Sequence, residues 1–175
     1  MASSSTVKKT VVTNIGDIFS VTLGDKKKYF QLIARDLTQL NSDVIRAFRT
    51  AYPITANPSP SEIIKGEVDF YAHCVTKWGV QLGYWEKIGH CDNVGRLEHI
   101  LFRDTNDYGR NPAAERVKLS NNWHVWRIGD ERFTDVGKLK GENRQAEIGL
   151  VINPESIVYR MRTGEYDFPF YPSFE

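Results

Sequence analysis

Two adjacent His-Cys pairs, His73-Cys74 and His90-Cys91, are the first residues whose chemistry could be functional. Zn²⁺ binds imidazole and thiolate ligands, but zinc sites usually space paired ligands two to four residues apart. Adjacent residues of a strand also point to opposite faces. We therefore expect a core cysteine and a surface histidine in each pair, with neither a metal site nor another cofactor.

A cysteine nucleophile is the second chemistry to consider. Cys91 lies between Gly89 and Asp92 in an expected loop, where a thiol could be exposed. No local signature of a cysteine enzyme surrounds it, and a reactive thiol needs a lowered pKa that the sequence does not indicate. Scattered acidic residues likewise show no pairing at a catalytic spacing, so no catalytic residue is predicted.

The segment DTNDYGRNPAAE resembles the pattern of a calcium-binding EF-hand loop. With Asp104 as its first position, Gly109 falls at the sixth and Glu115 at the twelfth. Tyr108 replaces the ligand expected at the fifth position, Pro112 interrupts the loop, and strands rather than paired helices are predicted around it. The pattern favours an exposed turn, and calcium binding by the Asp104–Glu115 segment stays open.

The C-terminal segment EYDFPFYPSFE combines five aromatic residues with three acids. Aromatic side chains dominate the energetics of protein interfaces. In the competing interpretation, the rings pack on the domain's own sheet, because exposed aromatic clusters reduce solubility. The residues predicted to bind a partner are Tyr166, Asp167, Phe168, Phe170 and Tyr171.

Alternating apolar residues predict a β-hairpin near the start of the chain. The strand IFSVTL leads into the turn GDK, and the return strand places Phe30, Leu32 and Ala34 on one apolar, core-facing side. A further strand is predicted to contain Val44, Ile45 and Phe48, although LNSD could instead cap a helix there. Other strands are predicted at residues 68–76, 99–103, 123–128 and 146–152.

One helix, at residues 154–162, has clear start and stop signals. Asn153 is suited to its N-cap, Pro154 to its first turn, and Gly164 to its end. The pattern predicts an α+β, mainly β fold: a curved antiparallel sheet or small barrel with one C-terminal helix. Residues 1–12 are expected to be a flexible segment, and residues 13–175 a single domain.

Composition limits the classes of partner. The chain has 175 residues, with 23 Lys and Arg against 22 Asp and Glu, for a net charge of +1. This balance provides no strong field to attract nucleic acid or an anionic membrane. No apolar run approaches the ~20 residues of a transmembrane helix, and MASSSTVKKT lacks the apolar core of a signal peptide. A cytoplasmic location is therefore expected.

Several segments resemble the immunity protein 26 family of bacterial polymorphic toxin systems. They are GDIFSVTL, KKYFQLIARD, LTQLNSDVIRAF, GEVDFYAHCVTKWGVQLGYWEKIG and ESIVYRMRTGEY, and the likeness covers most of residues 14–166. The resemblance implies a single-domain cytoplasmic protein that binds and neutralises a cognate toxin. Some members of that family carry a phosphotriesterase label, but the family offers no catalytic residue set to map onto this chain.

Three functional hypotheses follow. The first is a non-enzymatic immunity protein that blocks a toxin by shape and local charge. The alternative is a metal-dependent, phosphotriesterase-like hydrolase using His73, His90, Cys91 or His99. The third is a self-associating structural module, since the sequence leaves the oligomeric state open.

Overall fold

The structure, a computed structural model, describes residues 10–107 and 117–175. Strands dominate this part of the chain, and short helices lie between them. The strands are β1 (Asp17–Leu23), β2 (Lys26–Asp36), β3 (Ser42–Phe48), β4 (Tyr52–Pro53), β5 (Val68–Cys74), β6 (Glu86–His90), β7 (Leu101–Thr105), β8 (Trp123–Arg127), β9 (Thr134–Gly137), β10 (Glu147–Ile148) and β11 (Val151–Ile152). The helices are α1 (Pro60–Ile63), α2 (Thr76–Gln81) and α3 (Pro154–Thr163), with a 3₁₀ helix at Gly141–Gln145.

The strands form two sheets. The larger has the order β11-β5-β3-β2-β1-β6, with β4 added beside β2, and the smaller has the order β10-β7-β8-β9. Pairing is antiparallel except between β11 and β5 and between β10 and β7. The mainly β, α+β prediction is confirmed. Within the described residues, two curled sheets take the place of one curved sheet, and neither closes into a barrel.

The larger sheet is built on the predicted hairpin of β1 and β2. Gly24 adopts a positive φ of 68° at its turn, a conformation that glycine accepts readily. Phe19 and Phe30 are directly paired across the two strands, and their rings stack with centroids 5.0 Å apart. This pair belongs to a core that also contains Ile157 and Met161 of α3. Helix α3 therefore covers one face of the sheet.

The other face of the larger sheet packs against the smaller sheet. Phe102 and Trp126 of the smaller sheet share a core with Ile33 and Ala34 of β2. A register shift between Leu32 and Ala34 places Ala34 in this second core. The prediction that Ala34 shares a face with Leu32 was therefore wrong, because a bulge changes the alternation.

The segment 146–152, predicted as one strand, divides between the two sheets. Glu147 and Ile148 pair with β7 in the smaller sheet, whereas Val151 and Ile152 pair with β5 in the larger. Gly149 lies at the crossing, where an added Cβ would be 2.0 Å from the ring of Trp126. The chain can change sheets here because a residue without a side chain allows this close approach.

Helix α2 was not predicted. Its Gly79 packs against Trp85 so closely that a Cβ would lie 1.9 Å from the indole ring. Gly79 thus allows α2 to pack directly on the Trp85 ring. Helix α1 begins at Pro60, and the Ser59 side chain caps it by accepting a hydrogen bond from the Glu62 amide.

Helix α3 matches its prediction closely. The Asn153 side chain accepts a 2.8 Å hydrogen bond from the Ser156 amide, and Gly164 ends the helix at a φ of +90°. Among the described residues, no helix has the length and apolar character needed to cross a membrane. Of the segment expected to be flexible, residues 1–9 lie outside the described part of the chain.

Candidate binding grooves between the two sheets

Two depressions flank the chain where it passes from the smaller sheet to the larger. Gln145 and Glu147 line both of them. We call the first, of about 310 Å³, the Tyr71 cleft and the second, of about 530 Å³, the arginine groove. The arginine groove is lined by Arg103, Arg144, Gln145, Ala146, Glu147, Ile148, Arg160, Gly164, Glu165, Tyr166, Phe168, Tyr171 and Phe174.

Glu147 organises the boundary between the two depressions. Its carboxylate accepts hydrogen bonds from Arg160 at 2.9 and 3.3 Å, and Oε1 also accepts one from the Tyr71 amide at 3.3 Å. The Arg160 guanidinium lies over the rings of Phe70 and Tyr166, at 4.1 and 4.7 Å. Burial alone would lower the pKa of Arg160, but nearby Tyr166 and Glu147 hold it above its usual value. The bidentate pair therefore ties α3 to both sheets.

The Tyr71 cleft combines hydrogen-bonding groups with apolar side chains. The Tyr71 hydroxyl lies 3.2 Å from His99 Nε2, and their rings meet edge to face. Arg127 donates a 2.9 Å hydrogen bond to the Glu98 carbonyl and lies 3.7 Å from the Glu142 carboxylate. Burial raises the pKa of Tyr71, so its phenol stays protonated at neutral pH. The cleft can accept hydrogen-bonding groups, but its tyrosine is not activated as a base.

The arginine groove places guanidinium groups beside aromatic rings. The Arg103 guanidinium lies 5.7 Å from the Trp123 ring centroid and 4.9 Å from that of Phe174. It donates a hydrogen bond to the Ala146 carbonyl, and burial lowers the pKa of its side chain. Arg144 also lies over Phe174, at 5.6 Å. Such a wall can bind an anionic group and an apolar group side by side.

The predicted partner-binding segment forms one side of this groove. Tyr166 stacks on Phe168 with centroids 4.7 Å apart, and Tyr171 lies 6.0 Å from Trp123 and hydrogen-bonds Asp104 at 3.2 Å. The segment therefore packs along both sheets, as the competing interpretation of the sequence proposed.

Individual residues of the predicted set have different surroundings. Tyr166, Phe168 and Tyr171 are half-buried and line the groove. Asp167 is exposed, and its carboxylate accepts a 2.6 Å hydrogen bond from Ser156 of α3. Phe170 is half-buried but does not line the groove. The structure thus brings three of the five residues together, and their role in binding a partner stays a prediction.

His73 is wholly buried, so the expectation of a surface histidine in the first His-Cys pair was wrong. Its Nδ1 lies 2.9 Å from the Ser42 hydroxyl, and its ring packs 4.2 Å from Phe102. Both faces of the larger sheet are covered, and both members of the pair are therefore interior. Burial lowers the pKa of His73 to about 4, while nearby Asp36 acts in the opposite sense. Cys74 is in the core, as predicted.

His90 is held at the surface by two carboxylates. Its Nδ1 lies 3.0 Å from Asp17 and its Nε2 lies 2.8 Å from Asp92, and hydrogen bonds to both raise the pKa of the imidazole. Burial opposes ionisation of Asp17, but hydrogen bonds from Lys87, His90 and a backbone amide hold its pKa below the usual range. Cys91 is half-buried rather than in the core. Both ring nitrogens of His90 are thus engaged by acids rather than by this thiol.

In the described ranges 10–107 and 117–175, no three His, Cys, Asp or Glu side chains gather to hold a metal ion. Three histidines proposed for the hydrolase have separate partners, namely Ser42 for His73, two carboxylates for His90 and Tyr71 for His99. Most of the possible calcium loop, including Tyr108, Gly109, Pro112 and Glu115, lies outside the described residues. Calcium binding therefore stays an open prediction.

Sequence reasoning missed the charged residues of the arginine groove. Arg103 ends the apolar run HILFR, and Glu147 lies within the apolar segment AEIGLVI. Charged residues are seldom buried unless they are paired, so each of these positions indicated a specific contact. The sequence offered no means of identifying the partners, because Glu147 meets Arg160 only through the packing of α3 on the sheets.

Comparisons with known proteins give no match. No family model matches the chain, and no curated protein or solved structure is similar to it. The resemblance to the immunity protein 26 family therefore rests on the sequence segments alone.

Proposed function

We propose that this protein is a non-enzymatic immunity protein that binds a cognate bacterial toxin through the arginine groove and neutralises it in the cytoplasm. Two observations support the proposal. The sequence segments resemble an immunity protein family, and the groove combines half-buried tyrosine and phenylalanine rings with three arginines. Tyrosine and arginine are among the residues most enriched at the energetic centres of protein interfaces.

The observation that carries the proposal is the packing of the aromatic segment on the domain. Tyr166 contacts the rings of Phe168 and Phe70, and Tyr171 contacts that of Trp123. An interface whose large side chains already occupy defined positions loses less conformational entropy on association. A protein partner can therefore use these rings as rigid anchors.

The proposed interface also rests on well-supported elements. Glu147 and Arg160 form a bidentate pair whose side chains are only 20% and 16% exposed, and this pair joins β10 to α3 in the wall of the groove. Half-buried ion pairs in good geometry hold elements in register more effectively than exposed pairs. A partner at the groove would thus contact β10 and α3, two elements that this ion pair joins, rather than a free loop.

The test is a binding measurement with toxin domains encoded beside this gene. Phe168→Ala is expected to weaken the complex by about tenfold or more, the effect of removing an interface anchor. Phe133→Ala is the matched control, because Phe133 is a 45% exposed phenylalanine that packs on His124 and Trp126 outside the groove. The absence of a stable complex with any such toxin would contradict the proposal. Stoichiometric zinc in the purified protein would instead favour the metal-dependent hydrolase.

A further inference from the structure

Of the three arginines in the groove, Arg103 is the one without a carboxylate partner among the described residues. Arg160 pairs with Glu147 and Arg144 pairs with Glu175. The contacts of Arg103 are a backbone carbonyl and two aromatic rings, and its Nε has no hydrogen-bond partner in the described part of the chain. Its positive charge is therefore only partly compensated within the structure.

A half-buried guanidinium whose charge is only partly compensated is unfavourable. Removing a cation from water costs free energy that a paired anion normally offsets. The rings of Trp123 and Phe174 provide some attraction through their π faces, but they carry no negative charge. A carboxylate that entered the groove would supply the missing anion, in a setting of low dielectric where charge-assisted hydrogen bonds are strong.

A second polar group belongs to the lining of the same groove. The buried Tyr166 hydroxyl lies beside the Arg160 guanidinium, which can only donate, and its own O–H has no acceptor in the described ranges; burial raises the pKa of this phenol. A protonated phenol can donate a hydrogen bond to a carboxylate oxygen. A carboxylate in the groove would thus find two kinds of hydrogen-bond donor, the guanidinium of Arg103 and the hydroxyl of Tyr166.

We propose that the arginine groove binds an acidic peptide segment of the partner, in which an Asp or Glu side chain pairs with Arg103 and a neighbouring apolar side chain packs against Phe168 and Phe174. This inference rests on the proposed function, because the segment belongs to the toxin. It adds the chemistry by which the groove recognises that toxin. The planar guanidinium favours the planar carboxylate, which it can bind through two parallel hydrogen bonds.

The charges around the groove favour a single carboxylate over a polyanion. Glu147 lies in the wall and Glu165 is exposed at the edge, so the arginines are partly balanced there. A phosphate chain or a nucleic acid backbone would meet repulsion from these acids, and the whole protein carries a net charge of only +1. The groove volume of about 530 Å³ is suited to a short peptide segment with one acidic and one apolar side chain.

The first experiment uses the free protein and a small probe. N-acetyl-Glu-Phe-amide is titrated against ¹⁵N-labelled protein while the Nε–H resonances of arginine are recorded, and Arg103→Met identifies the resonance of interest. We expect a saturable shift of the Arg103 resonance with a Kd of about 1 mM, typical of a small ligand with one ion pair. N-acetyl-Gln-Phe-amide should leave the resonance unchanged. An unmoved Arg103 resonance at about 10 mM probe, or an equal response to both peptides, would overturn the inference.

Inorganic phosphate provides the third arm of that titration. Since the groove is proposed to need an apolar neighbour beside the anion, phosphate should shift the Arg103 resonance less than the Glu peptide does at equal concentration. A larger shift with phosphate would overturn the assignment to a peptide segment. Thermal melts of each variant show whether the protein remains folded. Arg103→Lys serves as a second variant, because lysine keeps the positive charge but lacks the planar guanidinium.

The second experiment uses the toxin complex. Arg103→Met should weaken toxin binding by about tenfold or more, whereas Arg162→Met, which removes an exposed arginine at the end of α3, should have less than a twofold effect. A complex that forms but is insensitive to Arg103→Met would overturn this inference and leave the proposed function standing. No complex with the wild-type protein would count against the proposed function, while the peptide titration would still decide whether the groove binds carboxylates.

Discussion

The carboxylate of Asp36 and the imidazole of His73 face each other with Oδ2 and Nε2 3.8 Å apart, and both side chains are wholly buried. Neither atom has a hydrogen-bond partner among the described residues. The His73 ring also packs against Phe102, so this polar contact lies where the two sheets meet. A histidine in such a place stays neutral at physiological pH, because a charged ring would be buried without adequate solvation.

The low pKa of His73 makes folding sensitive to acid. Its pKa is about 4 in the folded protein and near the ordinary 6.5 in the unfolded chain, so the unfolded state binds more protons between these values. The contribution of neutral His73 to the free energy of unfolding is therefore complete above pH 6.5. It falls by on the order of 3 kcal/mol as the pH decreases toward 4. His73→Phe should flatten the dependence of the urea midpoint on pH in this window.

His124→Phe is the control for that measurement. His124 is half-buried and packs on Trp126 and Phe133, so the same side-chain change is made outside the buried Asp36 pair. The urea midpoint of His124→Phe should depend on pH as steeply as that of the wild-type protein. Equal slopes for the wild-type protein and His73→Phe would show that His73 does not titrate on unfolding.

Gly149→Ala should destabilise the crossing between the sheets. The new Cβ would lie 2.0 Å from the Trp126 ring and 3.0 Å from the Arg103 carbonyl, and neither the buried indole nor the backbone can move freely. We expect a loss of about 3 kcal/mol, at the upper end of overpacking effects. Gly24→Ala, whose Cβ meets no atom within 4 Å but adopts a φ of 68°, should cost about 1 kcal/mol. Urea unfolding gives both values, and similar losses would refute the packing argument.

The cap of helix α3 provides a separate test. Asn153→Ala removes the side-chain acceptor for the Ser156 amide and should lower the free energy of unfolding by about 1 kcal/mol. Asn153→Asp retains an acceptor at the same position and should recover most of that loss. Denaturant titrations of the two variants are sufficient, and equal destabilisation by Ala and Asp would mean that the cap contributes little.

The two cysteines should differ in their reaction with iodoacetamide. Cys74 is wholly buried, and burial together with nearby Asp43 raises the pKa of its thiol, so it should react only after unfolding. Cys91 is half-buried and is the thiol expected to react first in native protein. Peptide mapping by mass spectrometry assigns the sites, with Cys91→Ser as the control. Native labelling of Cys74 at the rate seen in urea would contradict the buried placement.

Local patterns were sufficient for several elements. Asn153, Pro154 and Gly164 defined helix α3 because capping and termination depend on residues within one turn of each end. Alternation in IFSVTL and the turn at Gly24 likewise indicated the hairpin of β1 and β2. These predictions succeeded because the interactions that decide them connect neighbours in the chain.

Other features depended on contacts between distant segments. The bulge beside Ala34 and the division of residues 146–152 between two sheets follow from which strands lie next to them, and alternation alone carries no information about neighbours. His73 was expected at the surface because one face of its strand was expected to be solvated, but a second sheet covers that face.

The amino-acid sequence by itself determined a mainly β chain, its central hairpin, its capped C-terminal helix and an aromatic C-terminal segment, because periodicity and capping are local properties. Only the tertiary structure decided that Glu147 would pair with Arg160 and that Arg103 would be left beside the aromatic rings without a carboxylate in the described residues. The physical reason is that ion pairing and burial depend on distances between side chains that the fold brings together from separate parts of the chain.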